Sequence, residues 1–244
     1  MPHLSINLSR WLAYLIVMLG VAPSGSVLAD VSGNAPVVVE LYTSQGCSSC
    51  PPADALLGEI ARIPNVVALA FHVDYWDYIG WQDRFAIPQA ASRQSAYVAA
   101  LGLPSGFTPQ VVIDGRASFV GSDRRHITAA LSEGSQNIPV IAAVVNGELR
   151  VSLPERHGQR DFDVNVAAFV PEATTVIVRG ENSGRTLTEY NVVRQFRSIG
   201  TWSGENELLR IPLISFPNEA TRVAVFLQRS RQGAIAGSAI AVLR

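Results

Sequence analysis

The sequence predicts an α/β domain over residues 30–136, followed by an all-β, sandwich-like domain over residues 137–244. Two short apolar, β-branched runs flank a Cys-x-x-Cys turn and a helical pattern, as in a strand, helix, strand unit. A hairpin signal with a second helical pattern follows. Beyond about residue 137 the pattern changes to short strands with no good helix, which predicts the β-rich part.

The first 29 residues resemble an export signal. Arg10 precedes an apolar run at 11–22, and a stretch rich in small residues at 24–29 ends before Asp30. The run is shorter than the roughly 20 residues that cross a bilayer. We therefore predict a cleaved signal peptide at 1–29, a periplasmic or secreted protein, and no stable membrane span after cleavage. An uncleaved anchor is the alternative.

Composition argues against several classes of function. The formal net charge is −1 and all 19 basic residues are arginine, so no lysine is available as a Schiff-base nucleophile. The balanced charge gives no support to nucleic-acid binding. The chain has no Gly-x-Gly-x-x-Gly or phosphate-loop pattern, so we predict no nucleotide cofactor and none of another kind.

Residues 37–42 and 66–71 are predicted to be buried parallel strands. Pro51 and Pro52 suit the first turn of the helix between them, because that turn has no use for their missing N–H groups. After an inserted helical segment at about 74–103, Asp114-Gly115 predicts a hairpin between 111–113 and 118–120. Ser122 is the predicted cap of a helix through 127–131. This β-α-β then β-β-α order is the thioredoxin arrangement.

The second predicted domain carries a sandwich-like pattern of about seven strands. An Asn146-Gly147 turn joins the first two. The predicted strands are 140–145, 148–153, 164–169, 174–179, 208–214, 222–228 and 234–242.

The sequence contains two cysteines, Cys47 and Cys50, at the predicted strand-to-helix turn. The N-terminus of a helix offers free N–H groups and a partial positive charge, which stabilise a thiolate. We therefore predict that Cys47, at the exposed start of the helix, attacks a disulfide and that Cys50 resolves the mixed disulfide. Ser48 and Ser49 include no histidine to favour a strong oxidant, so a reductase or exchanger is expected.

Thr108-Pro109 stands immediately before the third strand. Thioredoxin-like folds place a cis-proline there, and the backbone of Thr108 could then pair with an extended substrate. A trans proline at the start of an edge strand is the alternative. Tyr75 and Trp76 follow the second strand and are expected to form an apolar rim for a polypeptide, or else to cap the helix at 88–101.

Glu40 is an acid within an otherwise apolar strand, seven residues before Cys47. It is predicted either to lie beneath the disulfide as a proton acceptor for Cys50, or to point to the opposite face as a solvated or paired acid.

Four segments carry a family resemblance: residues 37–52 (VVVELYTSQGCSSCPP), 71–81 (FHVDYWDYIGW), 107–115 (FTPQVVIDG) and 184–194 (GRTLTEYNVVR). They resemble the DUF1223 family of secreted thioredoxin-like proteins over nearly the whole mature chain. The resemblance implies the fold, whereas the family is defined without an established activity.

The predicted function is that of an extracytoplasmic thiol-disulfide oxidoreductase, with a protein disulfide as substrate and an unknown thiol redox partner. A binding module for another envelope protein, with a structural disulfide, is the main alternative. A copper or zinc site at Cys47, Cys50 and His72 is a weaker alternative, because structural zinc takes four protein ligands and no second Cys-x-x-Cys is present. We therefore predict no metal.

The first testable prediction concerns export. Because small residues precede Asp30 and the apolar run is too short to span a bilayer, the mature chain should begin at Asp30. Intact-mass measurement of protein recovered from the periplasm or the medium checks this. A chain that still begins at Met1 and stays with membranes would contradict it.

Overall fold

The structure is a computed structural model that describes Met1, residues 35–133 and residues 138–244. The predicted signal peptide, apart from Met1, and the predicted boundary between residues 136 and 137 lie outside the described residues. The strands are β1 (Val37–Thr43), β2 (Val66–His72), β3 (Gln110–Ile113), β4 (Ala117–Val120), β5 (Ile141–Val145), β6 (Glu148–Leu153), β7 (Phe162–Val176), β8 (Thr186–Trp202), β9 (Glu207–Pro212), β10 (Arg222–Arg229) and β11 (Ile235–Val242). The helices are α1 (Pro51–Ile60), α2 (Pro88–Ala100) and α3 (Arg124–Leu131).

The N-terminal elements follow the predicted order closely. The predicted prolines occupy the first turn of α1, and Asp114 and Gly115 both have positive φ in the turn between β3 and β4. The predicted cap of α3 is wrong by one residue: Asp123 is the N-cap, and its carboxylate accepts a hydrogen bond from the N–H of His126. Ser122 lies one residue before the N-cap, so the carboxylate of Asp123 and not the hydroxyl of Ser122 caps the helix.

The C-terminal elements differ from the prediction in two respects. The predicted strands at 164–169 and 174–179 are largely one long strand, β7. Its hairpin partner β8 has 17 residues against 15 in β7, and the sequence pattern does not predict it as a strand. The sequence of β8 does not alternate regularly between apolar and polar residues, the pattern that marks a strand with one solvated face.

The described residues form a mixed α/β fold in which one sheet has eight strands and another has three. The larger sheet has the order β11-β10-β7-β8-β2-β1-β3-β4, and the smaller sheet has the order β5-β6-β9. β1 and β2 are parallel, and β8 joins the free edge of β2 through the pair Ala70 and Val192. Strands from both predicted domains therefore share the larger sheet, and the described residues from 35 onwards belong to one compact unit. The proposed division into two domains stays a prediction.

Three apolar clusters hold the layers together. One lies between β1 and the helices α1 and α3 and includes Leu41, Leu57 and Ile127. A second lies on the other face, where Tyr42 and Phe71 pack against α2. The third packs the smaller sheet against β7 and β10. Its fully buried members include Leu149, Val151, Val164, Val166, Val223 and Trp202.

A buried ion pair joins α2 to the larger sheet. Arg93 on α2 donates from Nε to Glu40 Oε2 at 2.5 Å and from Nη2 to Glu40 Oε1 at 2.9 Å. Tyr42 and Tyr97 donate to the same carboxylate, and burial raises the pKa of both phenols well above the usual value. Nη2 of Arg93 also donates to Gln228 on β10. The network thus links α2, β1 and β10.

The second prediction tests this pair. Arg93→Met should lower the free energy of unfolding by about 3–5 kcal/mol, because it leaves the Glu40 charge buried without its partner. Glu40→Leu in the same chain should recover part of the loss. Urea denaturation measures both effects. Arg124→Met, which breaks an exposed ion pair with Glu59, is the matched control and should cost less than about 1 kcal/mol. A double variant no more stable than Arg93→Met would show that packing, not charge, is at stake.

Candidate functional site

Cys47 and Cys50 form a disulfide at the start of α1, with a Cα–Cα distance of 5.5 Å. Cys50 is the N-cap residue, and its carbonyl accepts the first helical hydrogen bonds, from the N–H groups of Ala53 and Asp54. The expectation that Cys47 is exposed is not met in this oxidised form: Cys47 is 3% exposed and Cys50 is completely buried. Ser48 and Ser49, between them, are exposed.

The Thr108–Pro109 peptide bond is cis, as the sequence predicts. Trp76 connects this segment to the cysteine loop, since its Nε1 donates to Thr108 Oγ1 at 2.7 Å and its Cβ lies against Gly46. A Cβ added to Gly121 would lie 2.9 Å from Pro109 Cβ and 3.0 Å from Ala53 Cβ, so Pro109 lies close to the first turn of α1. The segment therefore lies beside the cysteine loop.

The predicted aromatic residues line one side of this site. Tyr75 is 39% exposed and donates to Gln94 Oε1 on α2, so it contacts the helix and also faces solvent. Trp76 stacks on Tyr78, which is 80% exposed. Beside them, a groove of about 370 Å³ is lined by Tyr75, Ala91, Gln94, Ser95, Val98 and Gly106. Gln94 Nε2 donates to the carbonyl of Phe107, so one lining residue of the groove contacts the segment just before Thr108.

Glu40 lies on the opposite side of the sheet from α1. Strand alternation places it with Val38 and Tyr42, on the face that packs against α2, whereas Val39 and Leu41 face α1. Its carboxylate is held by Arg93, as described above. Of the two predicted positions for Glu40, the structure therefore shows the paired acid and not an acid beneath the disulfide.

Asp54, His72, Asp83 and Glu189 form instead a buried polar cluster on the α1 side, which sequence reasoning missed as a group. His72 Nδ1 lies 2.8 Å from Asp83 Oδ2. Asp54 Oδ1, His72 Nε2, Glu189 Oε1 and Thr43 Oγ1 are buried and have no hydrogen-bond partner among the described residues. Asp54 is one helical turn beyond Cys50, and helical side chains lean back toward the N-terminus. Its carboxyl group lies near Thr43 and His72, at the ends of β1 and β2.

The cluster titrates near neutral pH. Burial raises the pKa of Asp54 to about 6 and that of Glu189 to about 7, although the charge of His72 opposes both shifts. Burial acts to lower the pKa of His72, but the charge and hydrogen bond of Asp83 outweigh it and raise this pKa to about 9. In turn, the charge and hydrogen bond of His72 lower the pKa of Asp83, against the effect of burial. At pH 7 a histidinium therefore lies near Asp54 and Glu189, two carboxyl groups whose pKa values are close to neutral pH.

Gln45 and the tip of the β7–β8 hairpin, at residues 177–185, hold the cysteine loop in place. Gln45 Nε2 donates to Glu189 Oε2 and Thr175 Oγ1, both at 3.0 Å. The fully buried Asn182 donates from Nδ2 to the carbonyls of Gln45 and Cys47, both at 2.9 Å. The neighbouring Glu181 accepts a hydrogen bond from the N–H of Ser48 at 3.3 Å.

Some of these residues left a signal in the sequence and others did not. Asp54 follows Cys50 at helical spacing, and His72 directly follows the predicted strand at 66–71. Gln45 and Glu189 lie within the motifs at 37–52 and 184–194. Asn182 has no such signal, because its role depends on a hairpin folding back over the loop. For the copper or zinc alternative, no group of three or more His, Cys, Asp or Glu side chains suited to a metal ion is found in the part of the chain that the structure describes.

The chain belongs to the family described as "Protein of unknown function (DUF1223)", whose model matches residues 38–228. A crystal structure of the protein AGR_C_4864 from Agrobacterium tumefaciens is similar, with 31% identity and a TM-score of 0.76, over 87% of this chain and 96% of that one. HBP35 of Porphyromonas gingivalis has a similar fold, with 13% identity and a TM-score of 0.54, over 86% of this chain and 75% of that one. No curated protein matches the chain.

The third prediction concerns Glu189. Its pKa in the folded protein lies above the ordinary value of 4.5, so the folded state keeps a proton that the unfolded state releases as the pH rises. This contribution to stability is therefore lost between about pH 4.5 and 7. Glu189→Gln lacks that loss, and its stability relative to the wild type should rise across this range by up to about 3 kcal/mol.

Urea denaturation at several pH values measures this difference, with the exposed Glu205→Gln as the control. A Glu189→Gln variant that becomes less stable relative to the wild type as the pH rises would show that the carboxylate is stabilised by His72 more than burial disfavours it.

Proposed function

We propose that the protein is an extracytoplasmic thiol-disulfide oxidoreductase that acts on protein disulfides. The observation that carries this proposal is the position of the Cys47–Cys50 disulfide, at the N-terminus of α1 and beside the segment with cis-Pro109. A structural disulfide has no need of a helix N-terminus, whereas a reactive thiolate gains from its free N–H groups.

The topology supports a thioredoxin-like fold for the N-terminal part. The strand order β2-β1-β3-β4 has a parallel first pair and an antiparallel β3, with α1 directly after β1. The packing of the smaller sheet against β7 and β10 supports the sandwich-like description of the C-terminal part.

The reaction begins with the reduced protein. The Cys47 thiolate attacks one sulfur of a substrate disulfide, an S–S bond forms between them, and the other substrate sulfur leaves as a thiolate and takes up a proton. Cys50 then attacks the Cys47 sulfur, so that the protein disulfide forms and the second substrate sulfur leaves. Two electrons pass from the dithiol to the substrate. A dithiol or thiol redox partner must supply two electrons to restore the reduced form.

Asp54 is the group that we assign to accept the proton of Cys50 before the second attack. It lies one helical turn from Cys50 and is buried beside Thr43 and His72. Its pKa of about 6 lets it take up a proton during the reaction and release it afterwards. His72 and Glu189 hold further charge beside it.

The substrate is expected to be an extended polypeptide. The backbone at Thr108 could pair with it as a short strand, which gives affinity with little dependence on sequence. Tyr75 and Trp76 would then contact apolar side chains next to the reacting cysteine. In this proposal the residues that contact the substrate are Thr108, Pro109, Tyr75 and Trp76.

An extracytoplasmic location fits the disulfide, because such bonds persist in oxidising compartments. No helix in residues 35–133 and 138–244 is long and apolar enough to cross a membrane. The predicted signal peptide would carry the chain to the periplasm or the medium.

One observation favours the alternative of a binding module with a static disulfide, namely the nearly complete burial of both sulfur-bearing residues. The equilibrium reduction potential decides between them. A static disulfide would have a reduction potential below about −300 mV, whereas the potential of a reductant is about −270 mV.

The fourth prediction is a trapping experiment. In Cys50→Ser, Cys47 can attack a disulfide but nothing resolves the product, so mixed disulfides with envelope proteins should accumulate and disappear on reduction. Non-reducing electrophoresis of cell extracts measures this. Cys47→Ser is the matched control and should trap almost nothing. Equal trapping by both variants would contradict the assignment of the nucleophile, and trapping by neither would favour the binding module.

A further inference from the structure

The tip of the β7–β8 hairpin carries a carboxylate to the N-terminal end of α1, next to the cysteine pair. Glu181 is exposed, yet its carboxylate accepts a hydrogen bond from the N–H of Ser48, the residue directly after Cys47. Ser48 lies two residues before the N-cap Cys50, and its N–H would otherwise be free to stabilise a thiolate at the adjacent Cys47.

Glu181 is held at this place by its neighbour. Asn182 is fully buried, and its amide nitrogen donates to the carbonyls on both sides of Gly46. Its amide oxygen accepts from Arg185, and the carbonyl of Arg185 accepts from the N–H of Ile177 at the base of the tip. The carboxylate therefore stays beside the cysteine loop because the hairpin is fixed to that loop.

We propose that Glu181 disfavours the thiolate of Cys47 and so makes the Cys47–Cys50 pair more reducing. The inference rests on the proposed function. Reduction of the disulfide creates a negative charge at Cys47 when the thiol ionises, and a carboxylate at the same helix end repels that charge. The oxidised pair is neutral, so the repulsion acts on the reduced form alone and shifts the equilibrium toward the disulfide. Glu181 is thus a positioning residue for charge, without contact with the reacting atoms.

The test compares the wild-type protein with Glu181→Gln in equilibrium with reduced and oxidised glutathione. The equilibrium constant for oxidation of the Cys47–Cys50 pair by oxidised glutathione should be about two- to fivefold smaller in the variant. This factor corresponds to the effect of one charge at a helix terminus. The pKa of Cys47, measured from the pH dependence of its alkylation by iodoacetamide, should fall in parallel. Glu205→Gln, which removes an exposed carboxylate on the turn after β8, is the matched control and should change neither value.

Two further measurements separate a charge effect from a structural one. The difference in equilibrium should vanish below the measured pKa of Cys47, where no thiolate forms, and should shrink in 1 M salt. Glu181→Gln should also have little effect in an Asn182→Ala background, since the carboxylate is then no longer held at the loop. The other charged groups around the loop are unchanged in the Glu181→Gln comparison. They are Asp54, His72, Asp83, Arg185 and Glu189.

The outcomes also separate this inference from the proposed function. A wild-type disulfide that does not exchange with glutathione would overturn both. A disulfide that exchanges, with the same equilibrium in Glu181→Gln as in the wild type, would overturn the role of Glu181 and leave the oxidoreductase proposal standing. A difference that persists unchanged below the pKa of Cys47 would show that the substitution acts through structure and would also overturn the inference.

Discussion

A fully buried glutamine side chain holds the cysteine loop in place. Burying an amide is costly unless both its ends find hydrogen-bond partners. Gln45 meets this requirement only because three distant segments converge on it. Its partners, through side chain and backbone together, are Trp81, Asp83, Thr175, Asn182 and Glu189. The position of Cys47 therefore depends on residues that lie far from it in the sequence.

The polar groups buried on the two faces of β1 differ in how their charges are paired. On the α2 face, Glu40 has a full set of donors and its charge is matched by Arg93. On the α1 face, the positive charge of His72 is already paired with Asp83. The two other carboxyl groups, Asp54 and Glu189, have no cationic partner of their own among the described residues, and burial raises the pKa of both. A charge that is matched forms a rigid support, whereas unmatched carboxyl groups respond to pH. The strand thus separates a structural polar network from a chemically responsive one.

Local patterns were enough to predict the elements around the cysteine pair. The apolar run at 37–42, the prolines after Cys50 and the Asp114-Gly115 turn each determine the structure of only a few neighbouring residues. Glu40 shows the limit of such patterns: alternation groups it with Val38 and Tyr42, but which helix covers that face depends on the path of the chain. Strand β8 was missed because contacts with β7 and β2, and not alternation of polarity, define it. The roles of Asn182 and Glu189 depend on that strand and could not be predicted without it.

The long separation between the cysteine loop and its supports has a consequence for the order in which the site forms. Asn182 lies 135 residues after Cys47, and Glu189 lies 144 residues after Gln45. Contacts of this range form late, because the intervening chain must first be brought together. During synthesis, both cysteines emerge well before β7 and β8 exist. The newly made chain therefore carries a cysteine pair without Glu189 or its hairpin cover, and the pair acquires these surroundings only when the larger sheet is complete.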